Sequence, residues 1–202
     1  MITKILLIIS IFAPAASFAQ QSAAVMNRPS VTGGTATLYA LDPLSRTICL
    51  NDGKPGGVFQ GNQVRNRCSD IDFNAYNPGS FTVGVEGGRL GVIIDLGTAD
   101  TLMRKYGYQE TVGKGQGFAS LRLKDGKIVI LKDYQAGTVQ ELQEGALLLG
   151  EAKSGAKAAV EVGHIYLVRL TDRHDKQFSL MAKLIVIDYR PRESVTIRWE
   201  PL

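Results

Sequence analysis

Along much of the chain beyond residue 80, apolar and polar residues alternate with a period of two, the pattern of β-strands. In the last run, 194–199, Val195, Ile197 and Trp199 share one face while Ser194, Thr196 and Arg198 take the other, as a sheet with one wet side requires. The longer run 178–189 places Leu180, Ala182, Leu184 and Val186 on one face and Met181, Lys183, Ile185 and Ile187 on the other. Such a strand is predicted to be central and covered on both sides for part of its length. A third strand of this group is predicted over 164–171. Earlier runs, 35–41 and 46–50, alternate weakly and are joined by a turn at Asp42-Pro43. Runs 80–86 and 89–96 flank Gly87-Gly88, and 118–123 and 127–132 flank Asp125-Gly126; both pairs can take the positive φ of a two-residue hairpin turn.

One helix is predicted, over 99–106. Thr98 supplies the N-cap, Asp100 lies in the first turn, Arg104 and Lys105 in the last, and Gly107 terminates it. Everything after it reads as β. Segment 51–79 is rich in Gly, Asn, Asp and Pro and is expected to be a loop. About eight to ten short strands and one short helix predict an all-β fold, mainly antiparallel, built as a β-sandwich or a partly closed barrel.

The N-terminus has a different pattern. Lys4 is followed by the apolar run 5–12, then Pro14 and the small residues around Ser17 and Ala19. That order is a secretory signal peptide, its apolar core shorter than the roughly 20 residues of a spanning helix. Cleavage is expected after Ala19, leaving Gln20 as the new N-terminus; no cysteine follows to carry a lipid. No later segment is apolar enough to span a membrane as a helix. The organisation expected is therefore a signal over 1–19, a flexible segment over 20–34, a disulfide-stapled lobe over 35–79 and an antiparallel β domain over 80–202, in the periplasm or secreted.

Charge and cysteines sharpen this picture. The formal net charge is +4, and basic and acidic residues are interleaved without a basic stripe, so nucleic-acid binding is not expected. The two cysteines, Cys49 and Cys68, have one possible pairing in an oxidising compartment. Closing that loop of about 20 residues would stabilise the fold by about 3 kcal/mol in the chain-entropy model.

The segment from about residue 92 to 199 resembles a loose group of uncharacterised secreted or periplasmic bacterial β proteins. The likeness rests on Gly163-His164-Ile165-Tyr166, Lys183-Leu184-Ile185-Val186 and the final Ser194-Val195-Thr196-Ile197-Arg198-Trp199. Between Thr171 and Phe178 the chain departs from that pattern, where Arg173, His174, Asp175, Lys176 and Gln177 lengthen a tight turn. The resemblance implies fold and compartment and carries no activity.

Sequence chemistry is sparse. A Gly-x-Ser-x-Gly nucleophile turn is absent, and the two histidines, His164 and His174, are too far apart in sequence for a local zinc motif. His164 is expected to be packed or hydrogen-bonded at a strand start, His174 to be solvated. Asp70, Asp72 and Asn74 have the alternating oxygens that open a calcium loop, but Ala75 and Phe81 stand where the EF-hand needs Gly and Glu, leaving this as a weak calcium candidate beside a turn-capping role. Gly113, Gly115 and Gly117 recur every second residue, unlike a phosphate cradle. Tyr76, Tyr106, Tyr108, Tyr134 and Trp199 could stack on sugars or fill a core. No catalytic residue and no cofactor are therefore assigned. The function expected is an exported, non-catalytic module binding an envelope protein, a polymer or a small ligand. The alternatives are a hydrolase of polysaccharide or peptidoglycan using paired carboxylates, and a structural subunit of a surface assembly.

Overall fold

The structure, a computed structural model, describes residues 33–56, 69–73, 76, 79–84, 89–107, 118–133, 136–149 and 156–202. The chain divides into two units, Met1–Ser30 and Val31–Leu202, and every described residue belongs to the second. The expected signal at 1–19, most of the segment 20–34, Cys68, Asn74, the Gly87-Gly88 turn and the glycines 113, 115 and 117 lie outside the described residues.

Three open antiparallel sheets form a sandwich-like all-β fold. The central one has five strands in the order β1 (Gly34–Tyr39), β12 (Ser194–Pro201), β11 (Ser179–Arg190), β10 (His164–Asp172) and β5 (Arg89–Thr98). The second has the order β2 (Thr47–Ile48), β3 (Ile71–Asp72), β4 (Ser80–Val83) and β9 (Lys157–Ala159). The third is β6 (Leu121–Lys124), β7 (Lys127–Asp133) and β8 (Thr138–Glu141).

The two-sided pattern of β11 decides how these layers stack. Its Ala182, Leu184 and Val186 join Leu38, Tyr166, Ile197 and Trp199 in one cluster with Ile48, Ile71, Phe73 and Phe81 of the second sheet's side. Its Ile185 turns the other way, into a cluster with Ile165, Leu167, Leu121, Ile128 and Ile130. Helix α1 (Ala99–Tyr106) adds Leu102 and Tyr106 to this second cluster, and α2 (Gln143–Leu149) adds Leu148. The central sheet is thus apolar on both faces, covered by strands on one and by a hairpin layer with two helices on the other. This is the central, doubly covered strand that the alternation predicts.

Local signals are realised where they are strongest. Thr98 accepts from the Thr101 N–H at the start of α1, and Gly107 takes φ 63° at its end. Asp125 and Gly126 have φ 51° and 73° in the β6–β7 hairpin, the positive values that a tight two-residue turn needs.

Three expectations are corrected. First, the chain after α1 is not all β: α2 forms over a sequence containing Gly145, a residue that disfavours helix on its own. Close packing accounts for it, because a Cβ at 145 would lie 2.9 Å from the Ile128 Cβ. Second, 51–79 is not only loop. Ile71 and Phe73 are fully buried, and β3 pairs with both β2 and β4. Third, β4 and β5 do not pair as a hairpin: β4 pairs with β9 and β5 with β10. The chain crosses itself there too tightly for side chains, since a Cβ on Gly91 would lie 2.6 Å from Val83 Cγ2. The short strands β8 and β9 were not anticipated either; both are largely exposed and lack a buried apolar pattern.

Candidate functional site

The weak calcium candidates are placed first by their burial. Asp70 and Asp72 are both buried, whereas Asn74 lies outside the described residues. Asp70 Oδ2 accepts a 2.8 Å hydrogen bond from the Leu50 N–H, and its Oδ1 sits 3.7 Å from Arg89 Nε. Arg89 in turn approaches Asp172 Oδ2 at 3.8 Å, with its guanidinium 3.3 Å above the Phe178 ring centre. Asp72 Oδ1 faces Arg46 Nε at 3.7 Å. Guanidinium groups therefore occupy the positions around these carboxylates that a cation would take, and the cluster reads as a charged seam joining the β3 side to the central sheet. Burial pushes the Asp70 carboxyl up to about 6, against the lowering effect of the Leu50 N–H and Arg89; Asp52 adds a small upward push. Among the described residues no group of three or more His, Cys, Asp or Glu could hold a metal ion.

Lys183 is the buried cation of the opposite face. Its Nζ donates to the carbonyls of Phe118 at 2.7 Å and Leu121 at 3.1 Å and lies 3.2 Å from Glu200 Oε2. Burial lowers its pKa, and its partners leave it pinning β11 to the segment that leads into β6.

His164 stands where β5 and β10 slip register. Its Nδ1 lies 2.9 Å from Asp95 Oδ2, and Asp95 Oδ1 accepts from the Gly97 N–H at 2.7 Å. Gly97 has φ 77°, which lets the bulged backbone turn that N–H toward the carboxylate. The hydrogen-bonded role expected of His164 is present. At His174 the backbone N–H donates to Asp172 Oδ1 at 2.7 Å, capping the turn after β10.

Aromatic residues do not assemble into a sugar platform among the described residues. Trp199 and Tyr106 are buried in opposite clusters, Tyr76 is exposed, and Tyr108 and Tyr134 lie outside the described residues. Cys49 is buried, and Cys68 lies outside the described residues.

A concave surface lies elsewhere among the described residues. An open groove of about 650 Å³ is lined by Tyr39, Leu41, Asp42, Pro191, Arg192 and Glu193. Its first wall is the turn leaving β1. The Asp42 carboxylate accepts from the Leu44 N–H at 2.9 Å and the Ser45 hydroxyl at 2.6 Å, which fixes the turn and, led by the Ser45 bond, holds the Asp42 pKa below its ordinary value. That rigid turn leaves Leu41 79 % and Leu44 61 % exposed, with Tyr39 at 50 %. The second wall is the β11–β12 turn, in which Glu193 N–H bonds the Arg190 carbonyl at 3.0 Å and Arg192 has φ 64°. The two walls are joined by the Ala40 N–H bonding the Glu193 carbonyl at 2.9 Å.

None of the residues singled out for chemistry from the sequence lines this groove. A local signal did exist: two leucines and a tyrosine bracket Asp42-Pro43, where a turn would ordinarily be polar. Its partner wall lies some 150 residues away in sequence, beyond the reach of any local pattern. No family model, curated protein or solved structure matches the chain.

Proposed function

We propose that this chain is an exported, non-catalytic β module that binds an envelope protein, polymer or small ligand through the Tyr39–Arg192 groove. The observation that carries the reading is the exposure of Tyr39, Leu41 and Leu44 on a turn held rigid by Asp42, beside a concave surface of ligand size. Large apolar side chains held out in water on an ordered turn reduce their unfavourable hydration when a partner covers them.

Export is supported by the charged, apolar and small-residue order of 1–19 and by the resemblance of 92–199 to secreted or periplasmic proteins. In that compartment Cys49 and Cys68 are oxidised to one another. The hydrolase alternative would need two carboxyl groups facing each other across a cleft. The groove does carry a carboxylate on each wall, but the bonds from Leu44 and Ser45 hold the Asp42 pKa low, unlike that of a general acid, and Glu193 is paired with Arg190, a setting that favours binding over hydrolysis.

The test uses purified mature protein and washed envelope fractions. Co-sedimentation is expected for the wild type and is expected to fall severalfold for Leu41→Asp, which places a charge on the apolar wall. Cleavage of envelope polysaccharide with Leu41→Asp retaining full co-sedimentation would overturn the reading. Intact mass of the exported product checks the compartment, with Gln20 first and two hydrogens fewer than the dithiol form.

A further inference from the structure

Polar partners are unevenly distributed among the charged side chains of the groove. Glu193 is engaged by Arg190, whose Nη1 lies 3.5 Å from its Oε1, and the Asp42 oxygens accept from Leu44 and Ser45. Arg192 makes no ion pair or hydrogen bond among the described residues. Asp42 keeps its negative charge, since its donors are neutral, but its oxygens are engaged; the charged side chain of the groove whose hydrogen-bonding capacity is unused is Arg192, beside the apolar surfaces of Tyr39, Leu41 and Pro191.

Backbone geometry adds an independent argument. Pro191 and Arg192 form the two central positions of a turn closed by the Glu193 N–H on the Arg190 carbonyl. With φ at 64°, the second central position has the left-handed conformation that such turns usually give to Gly or Asn. An arginine there carries backbone strain of about 1 kcal/mol or more that a glycine would not. No hydrogen bond or ion pair of the Arg192 side chain within the described fold offsets that strain. A guanidinium that is costly in the free protein, aimed beside a groove, fits a group retained for a ligand.

Resting on the groove as the binding face, we infer that it takes a small amphipathic carboxylate, an aliphatic chain lying along Tyr39, Leu41 and Pro191 with its carboxylate on Arg192. The groove volume of about 650 Å³ lies within the range of small-molecule sites. A planar guanidinium meets a carboxylate with two parallel hydrogen bonds, and this pairing orients the chain along the apolar wall. A cationic ligand would leave the Arg192 donors unused.

The test is a titration of the mature protein with octanoate, octanol and octylammonium, followed by amide chemical shifts and calorimetry. Octanoate is expected to saturate shifts at Tyr39, Leu41, Arg192 and Glu193, octanol to bind about tenfold more weakly, and octylammonium more weakly still. Arg192→Gly is expected to bring octanoate down to the octanol level while raising the urea midpoint, because it removes the ligand cation and the turn strain together. Arg192→Lys is expected to keep part of the preference. Equal binding of octanoate and octylammonium, or an unchanged octanoate affinity in Arg192→Gly, overturns the inference. A failure to bind octanoate alongside loss of envelope co-sedimentation in Leu41→Asp overturns the carboxylate assignment alone and leaves the groove as the binding face.

Discussion

Asp70 shows how far surroundings can reverse the ordinary chemistry of a residue. Its type and its spacing from Asp72 and Asn74 suggested oxygen ligands on a surface loop, yet it is fully buried against Leu50 and Arg89. Neither its burial nor its arginine was legible in the sequence, because Arg89 belongs to another sheet and reaches Asp70 only when the layers close. The raised pKa of about 6 has a definite consequence for stability. Folding favours the neutral acid, so the contribution of Asp70 is fully present below its unfolded pKa of about 4 and is lost as pH rises through about 6. The loss is expected to approach about 3 kcal/mol. Asp70→Asn keeps an acceptor for the Leu50 N–H and cannot ionise, so its urea midpoint is expected to lack that part of the pH profile. Wild-type and variant profiles that run parallel between about pH 4 and 8 would show that Asp70 does not titrate in this way.

At the scale of elements, helix α1 and the β6–β7 hairpin were readable because every determinant is local: a cap, charges at the helix ends, and two turn residues with positive φ. Helix α2 was not. Its Gly145 lowers helix propensity, and the reason for a glycine there is a β-strand running against it. Gly145→Ala therefore has an expected sign opposite to the usual one. An alanine would gain about 1 kcal/mol of helix propensity in isolation. Placed 2.9 Å from the Ile128 Cβ it must displace β7 or the helix, at a cost of about 1 to 3 kcal/mol. A net destabilisation of about 1 kcal/mol is expected by thermal or urea unfolding. A stabilised variant would show that α2 and β7 have room to separate. The same reasoning explains β4 and β5, whose sequence suggested a hairpin: backbone crossing at Gly91 sends them into different sheets.

For the whole molecule, the central sheet has both faces buried, and β11 contributes Leu184 to one cluster and Ile185 to the other. Loss of either layer exposes one face of the same strands, so the two layers are expected to unfold together. Trp199, the chain's single tryptophan, reports on the first cluster, and Tyr106 and Phe118 belong to the second. Tryptophan fluorescence and the amide resonances of the β6–β8 layer are expected to give coincident urea midpoints, whereas separated transitions would mean that the β6–β8 layer with its helices is an independent unit. The sequence by itself determined the all-β class, the strand identity of the last three runs, the doubly buried face of β11 and the helix after Thr98, because periodicity and capping act over a few residues. Tertiary structure alone decided which strands pair, that β1 lies against β12, that arginines surround the Asp70 cluster, and that a turn after Tyr39 meets one at Arg192 to form a groove. Those outcomes depend on which apolar faces cover one another once the chain closes, and that choice is made by surface burial between residues far apart in sequence.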